Sequence, residues 1–347
     1  LDLKSEGGRE ALLALVRDAD VVLESFRPGV LERLGVGYER MREENPRIVY
    51  CAISGYGQTG PKRDASGHDM NYLGLVGLLG LTGAGGGEPV QAAGQIADLG
   101  GGALMAAFGI LAALRERDGM PAHPGRPGSG SGEGQLVDVS MADGALSWLA
   151  MVAAAYFADG TVPRRGELPL AGSLICYRPY ECADGWVSLG ALEPKFWQAW
   201  CRGVGREDLV AMQFERPGSA AHAQVEELFR ARTRDQWEAF AREHDCCLEP
   251  ILELDEALSS RLVAEREMVV ELNQPGATVP VRQLGVPVKL SRTPGEHARL
   301  PGPALGEHTE ELLAQAGFPP ERIAELLECG AAAPAAKDAA PAHVFRA

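Results

Sequence analysis

IVYCAISGYGQTGPK, residues 48–62, opens with six residues suited to a strand and closes on glycines and Pro61. A short unbroken run bounded by turn residues reads as a buried β-strand, Ile48–Ile53, running into a glycine-rich turn. Working outward, Asp20–Glu24 (DVVLE) reads as a second buried strand. It is preceded by a helix over 8–18, where Ala11, Leu12, Leu13, Leu15 and Val16 recur on a helical period. Gln135–Val139 (QLVDV) supplies a third strand, and Ser140 is placed to cap a helix running through Phe157. Helix and strand in alternation predict an α/β fold built on a parallel, Rossmann-like sheet.

The rest of the chain changes character. Asp159–Leu174 is rich in Gly and Pro without periodicity, and from 175 onward short strands mix with amphipathic helices such as PKFWQAWCRGVG. The expected organisation is a large α/β domain over 1–145, a linker over 146–175 and a smaller α+β domain over 176–290. A C-terminal return to the large domain follows over 291–330, then a disordered tail over 331–347.

The 347 residues are 46% hydrophobic and 23% charged, which is globular and excludes a disordered chain. A net charge of -15 argues against nucleic acid and against an anionic membrane surface as partners. The apolar stretches 104–114 and 146–157 are too short and too interrupted for a membrane span, and no signal peptide is visible. Seven cysteines without a CxxC pair suit neither a zinc site nor a disulfide framework, so a reduced cytoplasmic setting is expected, with no metal. GAGGG at 83–87 lacks the Lys-Ser/Thr of a phosphate loop and is read as a plain loop.

Three polar residues stand in unusual contexts: His68 in SGHDMNY, Asp98 in QIADLGGG and Glu193 in LGALEPKFW. Each has an ordinary explanation. His68 could cap the helix that follows it, Asp98 could be a carboxylate at a helix start, and Glu193 could precede a helix begun by Pro194. Asp69 and Tyr72 read as orienting residues, and Asp143 and Asp184 as turn residues in ADG.

Taken together, GHDxNY, the ADLGGG run, GALEPKF and the late GEHTEELL resemble the α-methylacyl-CoA racemases of the class III CoA-transferase superfamily. SFRPGVLERLG, SGYGQTGP, GEGQLVDVSMADG, YECADG and CLEPIL follow the family order, and the resemblance runs from Leu1 to about Phe318. It implies an interlocked homodimer acting on an acyl-CoA, with no cofactor beyond coenzyme A itself, and a further βαβ unit ahead of Leu1. His68 and Asp98 would then exchange the α-proton on opposite faces of the thioester, with Glu193 orienting the His68 ring. The glycines 100–102 would bring backbone N–H groups to the thioester oxygen. Arg27, with Gly55, Tyr56, Gly57, Gln58 and Lys62, would line the coenzyme A cleft. The alternative within the same superfamily is CoA transfer between carboxylic acids, with Asp98 as the nucleophile that forms an acyl-aspartyl anhydride. Transferases of this family carry a glycine-rich loop where this chain has LAGSLICY and lack the histidine of GHDxNY, so the resemblance places the racemase first.

Overall fold

The structure, a computed structural model, describes residues 1–119, 128–274, 279–295 and 302–335, and it divides into two compact units. Unit 1 takes 1–80, 90–161 and 303–347, and unit 2 takes 81–89 and 162–302.

Unit 1 opens with helix α1 (Glu6–Arg17), capped by Ser5, whose hydroxyl accepts the Gly8 N–H. Strand β1 (Val21–Glu24) follows, then helices α2 (Val30–Arg33) and α3 (Tyr38–Glu44), and strand β2 (Val49–Ser54). Beyond β2 come α4 (Asp69–Leu75), the single turn α5 (Leu78–Leu81) and a π-helical segment, Ile96–Ala103. That segment runs on into α6 (Leu104–Asp118), and the unit continues with β3 (Leu136–Ser140), α7 (Met141–Ser147) and α8 (Ala150–Asp159). The three strands pair in parallel in the order β1-β2-β3, in register Val21↔Val49 and Tyr50↔Leu136. The parallel sheet is as the sequence predicts.

Alternation along β2 sends its side chains to two faces. Tyr50 and Ala52 pack with Val16, Leu31 and Met41 from the helices on one side. Cys51 packs with Ala106 and Val139 on the other. A parallel strand covered on both faces has no solvent side, and this is why its sequence is an unbroken apolar run rather than an alternating one. Buried Arg117, at the end of α6, donates to the Arg47 carbonyl at 3.0 Å and to Asp20 at 2.8 Å, tying that helix to the starts of β1 and β2.

Unit 2 is built around the antiparallel strands β4 (Tyr177–Cys182) and β5 (Gly185–Gly190). Helices α9 (Pro194–Gly203), α10 (Ala220–Arg230) and α11 (Arg234–His244) follow, and β6 (Leu248–Pro250) then pairs on the free side of β5. The core is aromatic: the rings of Trp197 and Trp200 stack at 5.0 Å and those of Tyr180 and Phe229 at 4.4 Å. Trp197 and Trp237 donate their indole N–H to the carbonyls of Leu209 and Phe229, so those two rings are buried without an orphan donor, while the Trp200 indole N–H has no hydrogen-bond partner among the described residues. Helices α12 (Leu254–Ser259) and α13 (Arg261–Glu265) lead to the antiparallel pair β7 (Val269–Leu272) and β8 (Val281–Leu284). Residues 81–89 also belong here: Gly83, Ala84 and Gly85 face Gly166 and Gly172 across one cavity, and a methyl group on Gly166 would meet Gly85 Cα at 2.5 Å.

The chain then returns to unit 1 as α14 (Thr309–Gln315) and α15 (Pro320–Glu328). Leu313, Ile323 and Leu326 bury Ala11 of α1, and Arg322 pairs with Glu10 at 2.6 Å.

Three points differ from expectation. The helix expected from Ser140 through Phe157 is broken at Trp148–Leu149 into α7 and α8 and ends at Asp159, inside the stretch given to a linker over 146–175. Ala331 and Ala332, assigned to the tail, are buried against the return helices, while residues 336–347 lie outside the described residues. The apolar stretch at 104–114 is part of a continuous helix, Ile96–Asp118, of 23 residues and mean hydropathy 1.7, long and apolar enough to cross a membrane by length and composition. The glycine run 100–102 lies inside that continuous helix. Residues 120–127, which include the start of the HPGRPGSGSGEG loop at 123–134, lie outside the described residues.

Candidate active site

Asp69 organises the site in unit 1. It is the first residue of α4, buried at 6% exposure, and its Oδ1 accepts the backbone N–H groups of Ala97 at 2.6 Å and Asp98 at 3.1 Å. The first N–H groups of a helix have no partner of their own, and a carboxylate there satisfies them while matching the helix dipole. Asp69 therefore caps the π-helical segment from outside it. His68, next to it in sequence, is the N-cap of α4, and its backbone N–H bonds Asn71 Oδ1 at 3.0 Å. One carboxylate thus couples the His68 turn to the Asp98 turn.

The two predicted residues feel each other. Burial raises the Asp98 pKa above its usual 3.8, the Asp69 charge adds to that, and His68 opposes it. Asp98 is partly buried and His68 exposed. Tyr72, whose ring lies 5.1 Å from that of Tyr56, also has its pKa raised, first by burial and then by Asp98.

The glycines after Asp98 answer a packing demand. A methyl group on Gly101 would sit 2.6 Å from the Met141 carbonyl and 2.8 Å from Ala145 N, and one on Gly100 would meet Trp148 at 3.0 Å. Their Cβ positions face α7, so the three glycines let two helices approach backbone to backbone. The resemblance directs their backbone N–H groups at a thioester oxygen; close helix packing is a separate demand on the same glycines.

The expected cleft residues gather at the C-terminal end of β2, where ligands bind in open parallel sheets. Gly57 has φ +86, and the N–H of Gln58 donates to both oxygens of Asp138 at 3.1 Å, fixing the turn after β2 to β3. Gly55 is required by Tyr72, whose hydroxyl would lie 2.7 Å from a Cβ there. Lys62 lies over the Tyr56 ring at 5.5 Å. Arg27 is exposed in the loop before α2. The guanidinium groups of Arg33 and Arg63 converge on Gly29, within 3.1 and 3.2 Å of where its Cβ would stand, and Arg63 donates to the Gln58 carbonyl at 2.8 Å. This is a local basic patch inside an acidic chain. Arg63 and Asp138 had no motif of their own in the sequence; a charged residue amid β3 and an Arg beside Lys62 were the available signals.

Glu193 stands in unit 2, exposed at the N-cap of α9, where its carbonyl accepts the N–H groups of Phe196 and Trp197. Its charge raises the pKa of Cys247 behind that residue's own burial. No group of His, Cys, Asp and Glu among the described residues is arranged to hold a metal.

The family described as CoA-transferase family III matches residues 1–309. The chain is 34% identical over 335 residues to the α-methylacyl-CoA racemase of Mus musculus, covering 94% of this chain and 82% of that protein. It is 33% identical over 331 residues to the succinyl-CoA:mesaconate CoA-transferase of Haloarcula marismortui, covering 91% and 78%. Among solved structures, a CAIB/BAIF family protein from Brucella suis superposes with a TM-score of 0.73 at 26% identity, covering 91% of this chain and 80% of that one.

Proposed function

The chain belongs to CoA-transferase family III and is an acyl-CoA enzyme; within that class we propose that it moves CoA between carboxylic acids, with Asp98 as the nucleophile. The motif contexts alone rank proton transfer first, but the family match favours the alternative, and a transferase relative stands at 33% identity beside a racemase relative at 34%. The observation that carries the reading is the raised pKa of a partly buried Asp98 whose backbone is held by Asp69. A more basic carboxylate is a stronger nucleophile, and a fixed backbone keeps it in place. The Asp98 carboxylate attacks the thioester carbonyl, the C–S bond breaks, and CoA leaves as thiolate from an acyl-aspartyl anhydride. The thiolate then attacks the aspartyl carbonyl, the donor carboxylate leaves and an aspartyl-CoA thioester remains. The acceptor carboxylate attacks that thioester, releasing thiolate and forming a second anhydride, and thiolate attack on its acceptor acyl carbonyl gives the acceptor acyl-CoA and regenerates the Asp98 carboxylate.

The basic patch of Arg33 and Arg63, with Arg27 and Lys62, is assigned to the CoA phosphates, since a guanidinium fork suits phosphate oxygens. The Gly55–Gln58 turn is assigned to the pantetheine arm.

A second reading, 1,1-proton transfer, is favoured by one observation: His68 lies within electrostatic reach of Asp98, as a pair of bases sharing one substrate carbon would. In that case Glu193 orients the His68 ring.

The homodimer is part of the proposal. Leu104, Phe108 and Leu111 of α6 are 62%, 73% and 66% exposed, and Met151 and Phe157 of α8 are 65% and 79% exposed. Large apolar side chains exposed along two helices mark an interaction face, which we assign to a second copy and not to a membrane. The α6 residues lie on the continuous helix Ile96–Asp118, whose first turn carries Asp98 and whose last turn carries Arg115 and Arg117. All seven cysteines are unpaired, which suits the cytoplasm.

The deciding experiment incubates the protein with a 2-methylacyl-CoA in deuterated water, with hydroxylamine present and an acceptor acid added or withheld. Transfer predicts a hydroxamate on the Asp98 peptide and acceptor-dependent release of free acid. Deuterium uptake at the α-carbon with no trapped adduct overturns it in favour of proton transfer.

A further inference from the structure

The cavity in unit 2 has a volume of about 610 Å³ and lies outside the chemistry assigned above. Its wall combines the backbone of Gly83–Gly85 with Ser173, Arg178 and Arg216. The GAGGG stretch lacks the lysine of a phosphate loop, but the fold brings two arginines to it from elsewhere in the sequence.

Arg178 is the unusual member. Its Nε and Nη1 are sealed from solvent and make no hydrogen bond, and the same holds for the hydroxyl of Ser173, a residue 1% exposed. Among the described residues no carboxylate forms an ion pair with Arg178; its guanidinium lies 5.6 Å from the centre of the Tyr180 ring. Buried donors are normally satisfied, and a buried cation is normally matched by a charge, so three orphaned donors on one wall specify an acceptor with negative charge. The uncompensated charge acts on its surroundings: burial first, and then Arg178, hold the His222 pKa below its usual value. Ala84, Ala171, Pro179 and Pro217 complete the lining. They offer an apolar surface to the body of a ligand, which inorganic phosphate does not have.

We propose that unit 2 binds the carboxylate of a small organic acid in this cavity, with Arg178 and the Ser173 hydroxyl donating to its oxygens and Arg216 at the rim. A planar guanidinium is the side chain best matched to a planar carboxylate. The assignment goes beyond the reading of the preceding subsection and stands whether the enzyme transfers CoA or moves a proton.

The test is calorimetric titration of the full chain with sodium succinate, without acyl-CoA, so its outcome is independent of the trapping experiment. Saturable binding is expected, weakened at least roughly tenfold by Arg178→Met and less by Ser173→Ala, in variants whose circular dichroism matches the parent. If Arg178→Met fails to fold, Arg178→Gln carries the comparison, because it keeps a polar side chain beside Tyr180. Absence of saturable succinate binding, or equal affinity in the Arg178 variant, overturns the site. Inorganic phosphate binding as tightly as succinate overturns its assignment to a carboxylate.

Discussion

Asp98 is held in a setting that prefers its neutral form, and this has two measurable faces. A carboxylate whose pKa is raised in the folded protein binds its proton more tightly there than in the unfolded chain. Its charge therefore costs stability above the folded pKa, and that cost is relieved as pH falls through it. Asp98→Asn is expected to abolish turnover while raising the urea midpoint at pH 7, with the gain in stability shrinking as the pH falls through the raised pKa; a lower midpoint at pH 7 would contradict the assignment. Asp69→Asn keeps an acceptor for the Ala97 and Asp98 N–H groups but removes a charge that raises the Asp98 pKa. The acid limb of its pH–rate profile should move to lower pH with the fold intact. His68 and Asp98 could be singled out as candidates in the sequence because each stands in a distinctive context, GHDMNY and ADLGGG. The capping role of Asp69 was not, since a contact between residues 28 apart leaves no periodicity behind.

At the scale of elements, the helix formed by Ile96–Asp118 can exist only if its glycines admit a neighbour. A methyl group on Gly144 would stand 2.5 Å from Gly101 Cα and 2.6 Å from its carbonyl carbon, contacts with rigid backbone and not with a movable side chain. Gly144→Ala should cost about 1–3 kcal/mol, as overpacking of an interior does, seen as a lower denaturant midpoint. It should also reduce turnover by displacing the segment that carries Asp98. An unchanged midpoint would show that the two helices can part freely. The strands and their parallel order could be read from short apolar runs separated by helical periods. The π-helical geometry could not, because GGG reads equally as a helix start or a loop, and only the partner helix decides between them.

For the whole molecule, the apolar surface on α6 and α8 predicts a dimer. Light scattering should give twice the chain mass, and Phe108→Asp, at a side chain 73% exposed, should shift it toward monomer without unfolding it. A monomeric parent protein would remove this surface from the account. The division into a parallel-sheet part and an aromatic part was visible in composition. Its boundaries were not, since the tract 81–89, placed by sequence inside the first part, belongs to the second. The chain in fact passes between the two units four times. Neither unit can therefore be excised as one continuous polypeptide: cutting at 162 leaves behind a strip of the second unit's cavity wall, and stopping at 302 strips α1 of its cover. Anyone seeking either half alone would have to permute the chain or splice separated pieces. Loop insertions near 85 and near 166 would likewise have to be chosen together, because each of these backbones sets the space left for the other.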